Sequence, residues 1–425
     1  MTDARSAAGR GLPARALVVG LARSGEAAAL ALVRRGVEVL GTDRDEGLDT
    51  GRLRAAGVEV RVGASAGLAL LRGVEVVVKS PGIPASSPLV AAAHDRRIDV
   101  WSEVELGFRI LDRPIVGVTG TNGKTTTTEL LGAIFRAAGR SVAVAGNVGT
   151  PLCSLDGSLA DDAWIACELS SFQLEDIVTF QPRAGVLLNL APDHLDRHGS
   201  LESYTAAKLR LFENQAADDV AIVPRGFGQT PGTGRRVEFS ADDALPAEPA
   251  MVGLHNRENA AAAAAAAASA GIGAQAVAHA LTRFRGVAHR LEPIGEVRGV
   301  LFVNDSKATN PAAAECALRA YPGARVIMGG SRKGTPFGGF AEVARETGVA
   351  HAYLIGESAA EIARALSAVG VPHSLDGSLE SAVRGAFAKS AAGASVVLAP
   401  ACASYDQFRD FEQRGECFRE IVQGL

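Results

Sequence analysis

Short apolar runs rich in Val and Ile alternate along the chain with stretches whose apolar residues stand three or four apart. The runs predict buried strands, and the stretches predict helices packed against them. Residues 16–20, 37–42 and 74–79 are such runs, and 24–35 keeps helical spacing up to Gly36. Runs at 115–118, 163–168 and 185–190 follow, with helical patterns from Lys124 to Gly139 and over 204–212. A third set lies at 300–303, 325–328, 351–355 and 395–398, and Pro311 opens the helix after its first strand. Repeated strand–loop–helix units predict an α/β protein with doubly wound parallel sheets, whose ligands sit at the strand C-terminal ends. The 425 residues exceed one core. The pattern divides them into three domains, expected over 1–101, 102–286 and 287–425.

The stretch Pro114-Ile-Val-Gly-Val-Thr-Gly-Thr-Asn-Gly-Lys-Thr-Thr126 organises the middle domain. A strand, a glycine-rich turn and a helix start aim free backbone N–H groups and the positive helix end at one point, which suits phosphate. Gly120, Thr121, Asn122, Gly123, Lys124, Thr125 and Thr126 form this loop. Lys124 is placed for β- and γ-phosphates, and the Thr125 hydroxyl for Mg²⁺. Val118 stands where the strict phosphate-loop pattern has glycine, so this is a variant.

Downstream, Glu168 ends a strand, where a carboxylate linked to Mg²⁺ belongs beside such a loop. Ser170, Ser171 and Gln173 follow it. The cluster Asp193-His-Leu-Asp-Arg-His198 has metal-ligand chemistry, and Lys208 lies on the helix after it. In the first domain, Gly20-Leu-Ala-Arg-Ser-Gly25 has Ala22 where the dinucleotide fingerprint has its middle glycine, and Asp43 ends the second strand. An NAD site, a site for another nucleotide diphosphate and a ligand-free tight turn all fit that pattern. In the third domain, strand ends deliver Asn304-Asp-Ser-Lys-Ala-Thr-Asn310, Gly329-Gly-Ser-Arg-Lys-Gly334 and Pro400-Ala-Cys-Ala-Ser-Tyr-Asp-Gln-Phe408. Asp305, Lys307, Thr309, Lys333 and Ser404 are therefore expected around one crevice.

Composition adds three restrictions. The net charge of −4, with signs mixed along the chain, gives no support for a nucleic-acid partner. Five cysteines without a Cys-x-x-Cys pair suggest a reducing compartment and no disulfide framework. No apolar stretch of signal-peptide length follows Arg5, Arg10 and Arg15, and the run 260–268 is alanine only. Neither a signal peptide nor a membrane span is expected, and a cytoplasmic location is. Only six of the 43 basic residues are Lys: 79, 124, 208, 307, 333 and 389. A lysine kept in such a chain is a candidate for chemistry that arginine cannot perform.

Taken together, Gly120-Thr-Asn-Gly-Lys-Thr-Thr126, Glu168-Leu-Ser-Ser-Phe-Gln-Leu-Glu175, Asp193-His-Leu-Asp196, residues 204–208, His255-Asn256 with Asn259, His289-Arg290, Asn304-Asp-Ser-Lys-Ala-Thr-Asn310 and Pro400-Ala-Cys-Ala-Ser-Tyr-Asp-Gln-Phe-Arg-Asp-Phe-Glu-Gln-Arg-Gly415 resemble the Mur ligase family. Within it, Glu168-Leu-Ser-Ser-Phe-Gln-Leu-Glu175 and the C-terminal motif resemble the ligases that add D-glutamate. The resemblance implies Rossmann-like first and third domains around a P-loop domain. It also implies amide ligation of D-glutamate to UDP-N-acetylmuramoyl-L-alanine through an acyl phosphate, in cytoplasmic peptidoglycan precursor synthesis.

The same resemblance implies the roles. ATP falls to the phosphate loop, Asn256, Asn259, Arg290 and Asp305. Two Mg²⁺ ions fall to Thr125, Glu168, His194 and Lys208, the last as a carbamate, with Lys124 catalytic alongside. The UDP substrate falls to Ser24, Asp43, Arg44, Ser80, Asn147 and Ser170, and D-glutamate to Thr309, Lys333, Ser404, Tyr405 and Phe411. A monomer is expected. The alternative is a ligase of the same fold that adds L-glutamate or another amino acid to a related substrate. A P-loop protein without catalysis is a further class, but it has no use for three ligand-bearing strand ends in a third domain.

Overall fold

The computed structural model describes residues 11–63, 67–332 and 336–425, with the backbone but not the side chain of Asp196. Seventeen strands among these residues form three sheets. The first holds β1 (Arg15–Val19), β2 (Glu38–Asp43), β3 (Glu59–Val62), β4 (Val76–Lys79) and β5 (Asp99–Ser102), in the order β3-β2-β1-β4-β5. All its pairings are parallel. The second holds β6 (Ile115–Thr119), β7 (Val142–Gly146), β8 (Trp164–Glu168), β9 (Ala184–Leu187), β10 (Val220–Pro224) and β11 (Arg235–Phe239), in the order β11-β10-β9-β6-β8-β7. The third holds β12 (Glu292–Val297), β13 (Val300–Asn304), β14 (Arg325–Gly329), β15 (His351–Ile355), β16 (His373–Gly377) and β17 (Ser395–Leu398), in the order β12-β13-β17-β14-β15-β16. Only its edge strand β12 runs antiparallel, against β13.

The helices bury the faces that their apolar spacing prescribes. In Lys124–Ala137, Leu130, Leu131, Ile134 and Phe135 are wholly buried, each side chain contributing about 1.5–3 kcal/mol. Asn310 caps Pro311–Ala320, where proline at the first turn gives up no hydrogen bond. The alanine run lies within Leu254–Ser269. Among the described residues no helix is long and apolar enough to cross a membrane.

By its contacts the chain forms two compact units, Met1–Glu248 with Glu258–Leu281, and Pro249–Arg257 with Thr282–Leu425. The first unit contains two sheets. One apolar core runs through it from Ala16 to Val223, including Val104, Leu106, Phe108 and Ile110 of the helix Glu103–Ile110. Buried charge reinforces that core. The Glu105 carboxylate accepts from the N–H groups of Val178, Thr179 and Phe180 and from Arg109. Lys79 pairs with Asp176 at 2.7 Å, both side chains being buried. Glu103 accepts from the Cys153 N–H at 2.6 Å, and burial pushes its carboxyl up to about 7. The second unit has its own cores on the two faces of its sheet.

Two elements depart from the sequence pattern for local reasons. The strand read to residue 190 stops at Leu187, because residues 189–191 turn aside to hold the phosphate loop. The helix read over 204–212 begins at Leu201, capped by Ser200, and tightens to a 3₁₀ turn at Arg210–Phe212.

Candidate active site

The phosphate loop joins β6 to the helix Lys124–Ala137. Gly123 is left-handed at φ 87°, and a Cβ there would lie 2.2 Å from Asn259 Oδ1. Glycine is thus required both by conformation and by close approach. The loop is strapped from the side. Thr121 donates its N–H to the Asn189 carbonyl at 3.0 Å, and Asn122 donates to Asn189 Oδ1 at 2.9 Å. The Thr121 hydroxyl donates to the Ala191 carbonyl and lies 3.1 Å from the Tyr204 hydroxyl. Lys124 folds back, donating to the Gly120 and Thr121 carbonyls at 2.9 Å. Thr125 and Thr126 are buried in the first helical turn.

Neighbouring strands deliver the other groups to the same sheet edge. Val118 pairs in register with Glu168, so the carboxylate ending β8 stands beside the loop. Glu168 is buried, and Asn147 Nδ2 donates to its Oε1 at 3.0 Å. Ser170 caps the short helix Ser171–Leu174 in a capping box with Gln173.

His194 follows β9 with a left-handed backbone at φ 51° and opens the turn Leu195–His198. Its ring meets Phe172 edge-on at 5.0 Å, while the His198 ring stacks on Phe172 at 5.2 Å. His198 also reaches Ser171 Oγ at 2.9 Å and Glu175 Oε1 at 3.2 Å.

Lys208 is buried, with Nζ 2.8 Å from the Gly120 carbonyl. Burial, then the charge of Lys124, push its pKa well below the usual lysine value, while Asp193 and Glu168 pull the other way. Lys124, Glu168, Asp193 and Lys208 therefore share one electrostatic neighbourhood. Among the described residues no three His, Cys, Asp or Glu side chains gather as a metal cage. The Thr125 hydroxyl and the Glu168 carboxylate are oxygen donors of the kind that magnesium takes, alongside substrate oxygens and water.

In the first sheet, a cavity of about 230 Å³ is lined by Gly20, Asp43, Arg44 and Ile83 among others. Asp43 accepts from the N–H groups of Leu21 and Asp45, which fixes its carboxylate. Ser80 borders Gly20, where an added Cβ would lie 2.8 Å from its own Cβ. Ser24 lies one residue into the helix Arg23–Arg34.

In the second unit, Leu291 N–H donates to Asp305 Oδ1 at 3.0 Å. Burial raises the Asp305 carboxyl to about 7, opposed by Arg290. Asn256 donates to the Val252 carbonyl. The loops after β13, β14 and β17 are tied to one another and to the start of the last helix. Ser331 bridges to Ala403, the Asp406 N–H donates to Ser331 Oγ, and Ser306 Oγ donates to the Phe411 carbonyl. Ser404 is buried, Tyr405 is exposed, and Thr309 N–H donates to the Lys307 carbonyl. Lys333 lies outside the described residues.

Sequence reasoning passed over Asn189, Arg197 and Lys79 as site neighbours. Asn189 had a local signal, a polar residue at the end of a buried strand. Arg197 and the Lys79–Asp176 pair act through contacts far away in sequence, which no local pattern reveals.

The pattern described as Mur ligase middle domain matches residues 118–227, and that described as Mur ligase, glutamate ligase domain matches 289–402. A UDP-N-acetylmuramoylalanine–D-glutamate ligase of Pelotomaculum thermopropionicum is 41% identical over 449 residues, spanning 97% of this chain and 98% of that protein. The ligase of the same name from Anaeromyxobacter dehalogenans is 43% identical over 453 residues, spanning 96% and 97%. Among solved structures, UDP-N-acetylmuramate–alanine ligase MurC of Thermotoga maritima shares the fold at TM-score 0.60 and 20% identity, over 96% of this chain and 99% of that one. MurF ligase of Thermotoga maritima, in complex with ADP, does so at TM-score 0.62 and 17% identity, over 91% and 95%.

Proposed function

The chain belongs to the Mur ligase family, and we propose that it joins D-glutamate to the L-alanyl carboxylate of UDP-N-acetylmuramoyl-L-alanine. It is an ATP-dependent ligase of peptidoglycan precursor synthesis. The observation that carries the choice of substrates is the similarity over nearly the whole chain to ligases of that name. The three regions 1–101, 102–286 and 287–425 are assigned to the UDP substrate, ATP and the amino acid in turn.

In the chemistry we propose, an oxygen of the alanyl carboxylate attacks the γ-phosphorus, the bond to the β-phosphate oxygen breaks, and ADP leaves. The amine of D-glutamate, having lost one proton, then attacks the acyl carbon. The tetrahedral centre collapses by breaking the carbon–oxygen bond to phosphate, and the nitrogen loses a second proton.

Lys124 and the N–H groups at the start of the helix Lys124–Ala137 hold the β- and γ-phosphates against the charge that develops in transfer. Thr125 and Glu168 would hold one Mg²⁺ and His194 and modified Lys208 a second, and these ions when bound screen triphosphate from carboxylate. The displaced pKa of Lys208 supports the modification. A neutral amine lone pair adds to the carbon of CO₂, one proton leaves, and the carbamate offers oxygen where an ammonium would repel a cation.

Asn256, Asn259 and Arg290 are assigned to the adenine and phosphate side of ATP, and Asp305 to the ribose. Ser24, Asp43, Arg44 and Ser80 are assigned to the uridine diphosphate, and Asn147 and Ser170 to the rest of that substrate. Thr309, Lys333, Ser404, Tyr405 and Phe411 are assigned to D-glutamate, Lys333 by pairing with a carboxylate.

The test is release of phosphate from ATP. Release that requires both UDP-N-acetylmuramoyl-L-alanine and D-glutamate, and fails with L-glutamate, is the expected result. Equal turnover with L-glutamate would move the assignment to the other ligase. Release with neither substrate required would end it.

A further inference from the structure

The loop 80–83 leaves the end of β4, and its last residue, Ile83, lines the cavity beside Asp43 and Arg44. The backbone of this loop is gripped from β4 itself and from the turn Leu195–His198. The Ile83 carbonyl accepts from Lys79 Nζ at 3.0 Å and from Arg197 Nη2 at 3.0 Å. The Pro81 carbonyl accepts from Arg197 Nη1 at 2.7 Å.

Arg197 belongs to the turn Leu195–His198 that His194 opens. Its guanidinium lies 3.9 Å from the centre of the Phe172 ring, the same ring that meets His194 edge-on and stacks on His198. One side chain thus touches the wall of the cavity at one end and the aromatic support of His194 at the other.

We propose that Arg197 is a positioning residue that fastens the wall of the uridine pocket to the His194 turn, so that filling the pocket and ordering the phosphate-transfer cluster favour each other. The proposal rests on the reading of that cavity as the UDP site. Arginine suits the task because its planar fork serves two carbonyls at once while its face stacks on an aromatic ring. His194 sits in a backbone conformation that a non-glycine residue holds only when its surroundings insist. The Phe172–Arg197 stack is part of that surrounding. A ligand pressing on Ile83 narrows the positions open to Pro81 and Arg197, and with them those of Phe172 and His194. Such coupling is a free energy shared between two sites, so it acts in both directions. Loss of Arg197 leaves the Ile83 carbonyl on Lys79, so the pocket keeps one anchor while its link to the turn is cut.

The test uses the full chain, with UDP as the pocket probe and the magnesium complex of a non-hydrolysable ATP analogue as the second ligand. In the wild type each ligand is expected to tighten the other by at least about fivefold, measured by titration calorimetry. In Arg197→Met the coupling falls to about one, while UDP alone binds within about threefold of the wild type. Arg197→Lys, which keeps the charge but not the fork, also loses the coupling, and it carries the test if the methionine variant melts early. A coupling that survives both substitutions, or a wild type without coupling, overturns the proposal. UDP binding that ignores Asp43→Ala removes the pocket assignment and the proposal with it. UDP binding that is lost in Asp43→Ala but is uncoupled in the wild type overturns the proposal alone.

Discussion

Lys208 Nζ lies 2.8 Å from the Gly120 carbonyl, so a buried lysine is tied to the first residue of the phosphate loop. The helix Leu201–Leu209 is fixed to the phosphate loop by this contact, and Tyr204 on the same helix lies within hydrogen-bond reach of Thr121. A full positive charge at Nζ is disfavoured there by burial and by Lys124. The amine is therefore available in its neutral form closer to physiological pH than an ordinary lysine.

Lys208→Arg keeps the charge but cannot form a carbamate, and its kcat should fall at least about 10²-fold. Lys208→Ala should be similarly impaired and partly restored by acetate or formate, which refill the oxygen position. Steady-state kinetics with and without the added carboxylate read this directly. A fully active arginine variant would show that the carbamate plays no part.

Lys124→Ala removes the cation from the phosphate loop, and kcat/KM should drop about 10³-fold or more. The fold should remain, since the ammonium bonds the Gly120 and Thr121 carbonyls at the loop's own edge. Circular dichroism and turnover measured on the same preparation separate the two effects.

Gly123→Ala forces a Cβ to within 2.2 Å of Asn259 Oδ1 at a backbone φ of 87°. The loop should be destabilised by about 1–3 kcal/mol, and KM for ATP should rise at least about tenfold. An alanine variant with unchanged KM and Tm would mean that the loop reorganises freely.

Glu103 makes a prediction about pH. Its carboxyl is raised from 4.5 to about 7 by burial, so the folded chain holds that proton more tightly than the unfolded one. The stabilising contribution is complete below pH 4.5 and is lost as pH rises through about 7. Glu103→Gln removes the titration. Its stability relative to the wild type should improve between pH 4.5 and pH 8, by up to about 3 kcal/mol. Urea midpoints of both proteins at the two pH values test the sign, and parallel behaviour would rule the account out.

Much of the frame was readable because it rests on local chemistry. β6, the glycine turn and the helix after it follow from apolar spacing and from residues that only a turn accommodates. Glu168 was readable as a carboxylate ending a buried strand. The edge strands β12 and β16 were not, because Glu292-Pro-Ile-Gly-Glu-Val297 and His373-Ser-Leu-Asp-Gly377 lack the apolar run of a central strand. The grip of Arg197 on Pro81 and Ile83 was equally hidden, since it joins residues more than a hundred positions apart. Contacts of that kind exist only once the sheets have packed.

The apolar core that runs from Ala16 to Val223 bears on how this enzyme could be rebuilt. Splitting the gene after Ser102 would leave Val104, Leu106, Phe108 and Ile110 facing water on one product and their partners bare on the other. Neither half would be soluble without redesign. A chimera meant to carry a different first sheet would have to transplant β1 to β11 as a single block. The second unit has cores of its own, and an exchange would have to carry both of its segments, Pro249–Arg257 and Thr282–Leu425.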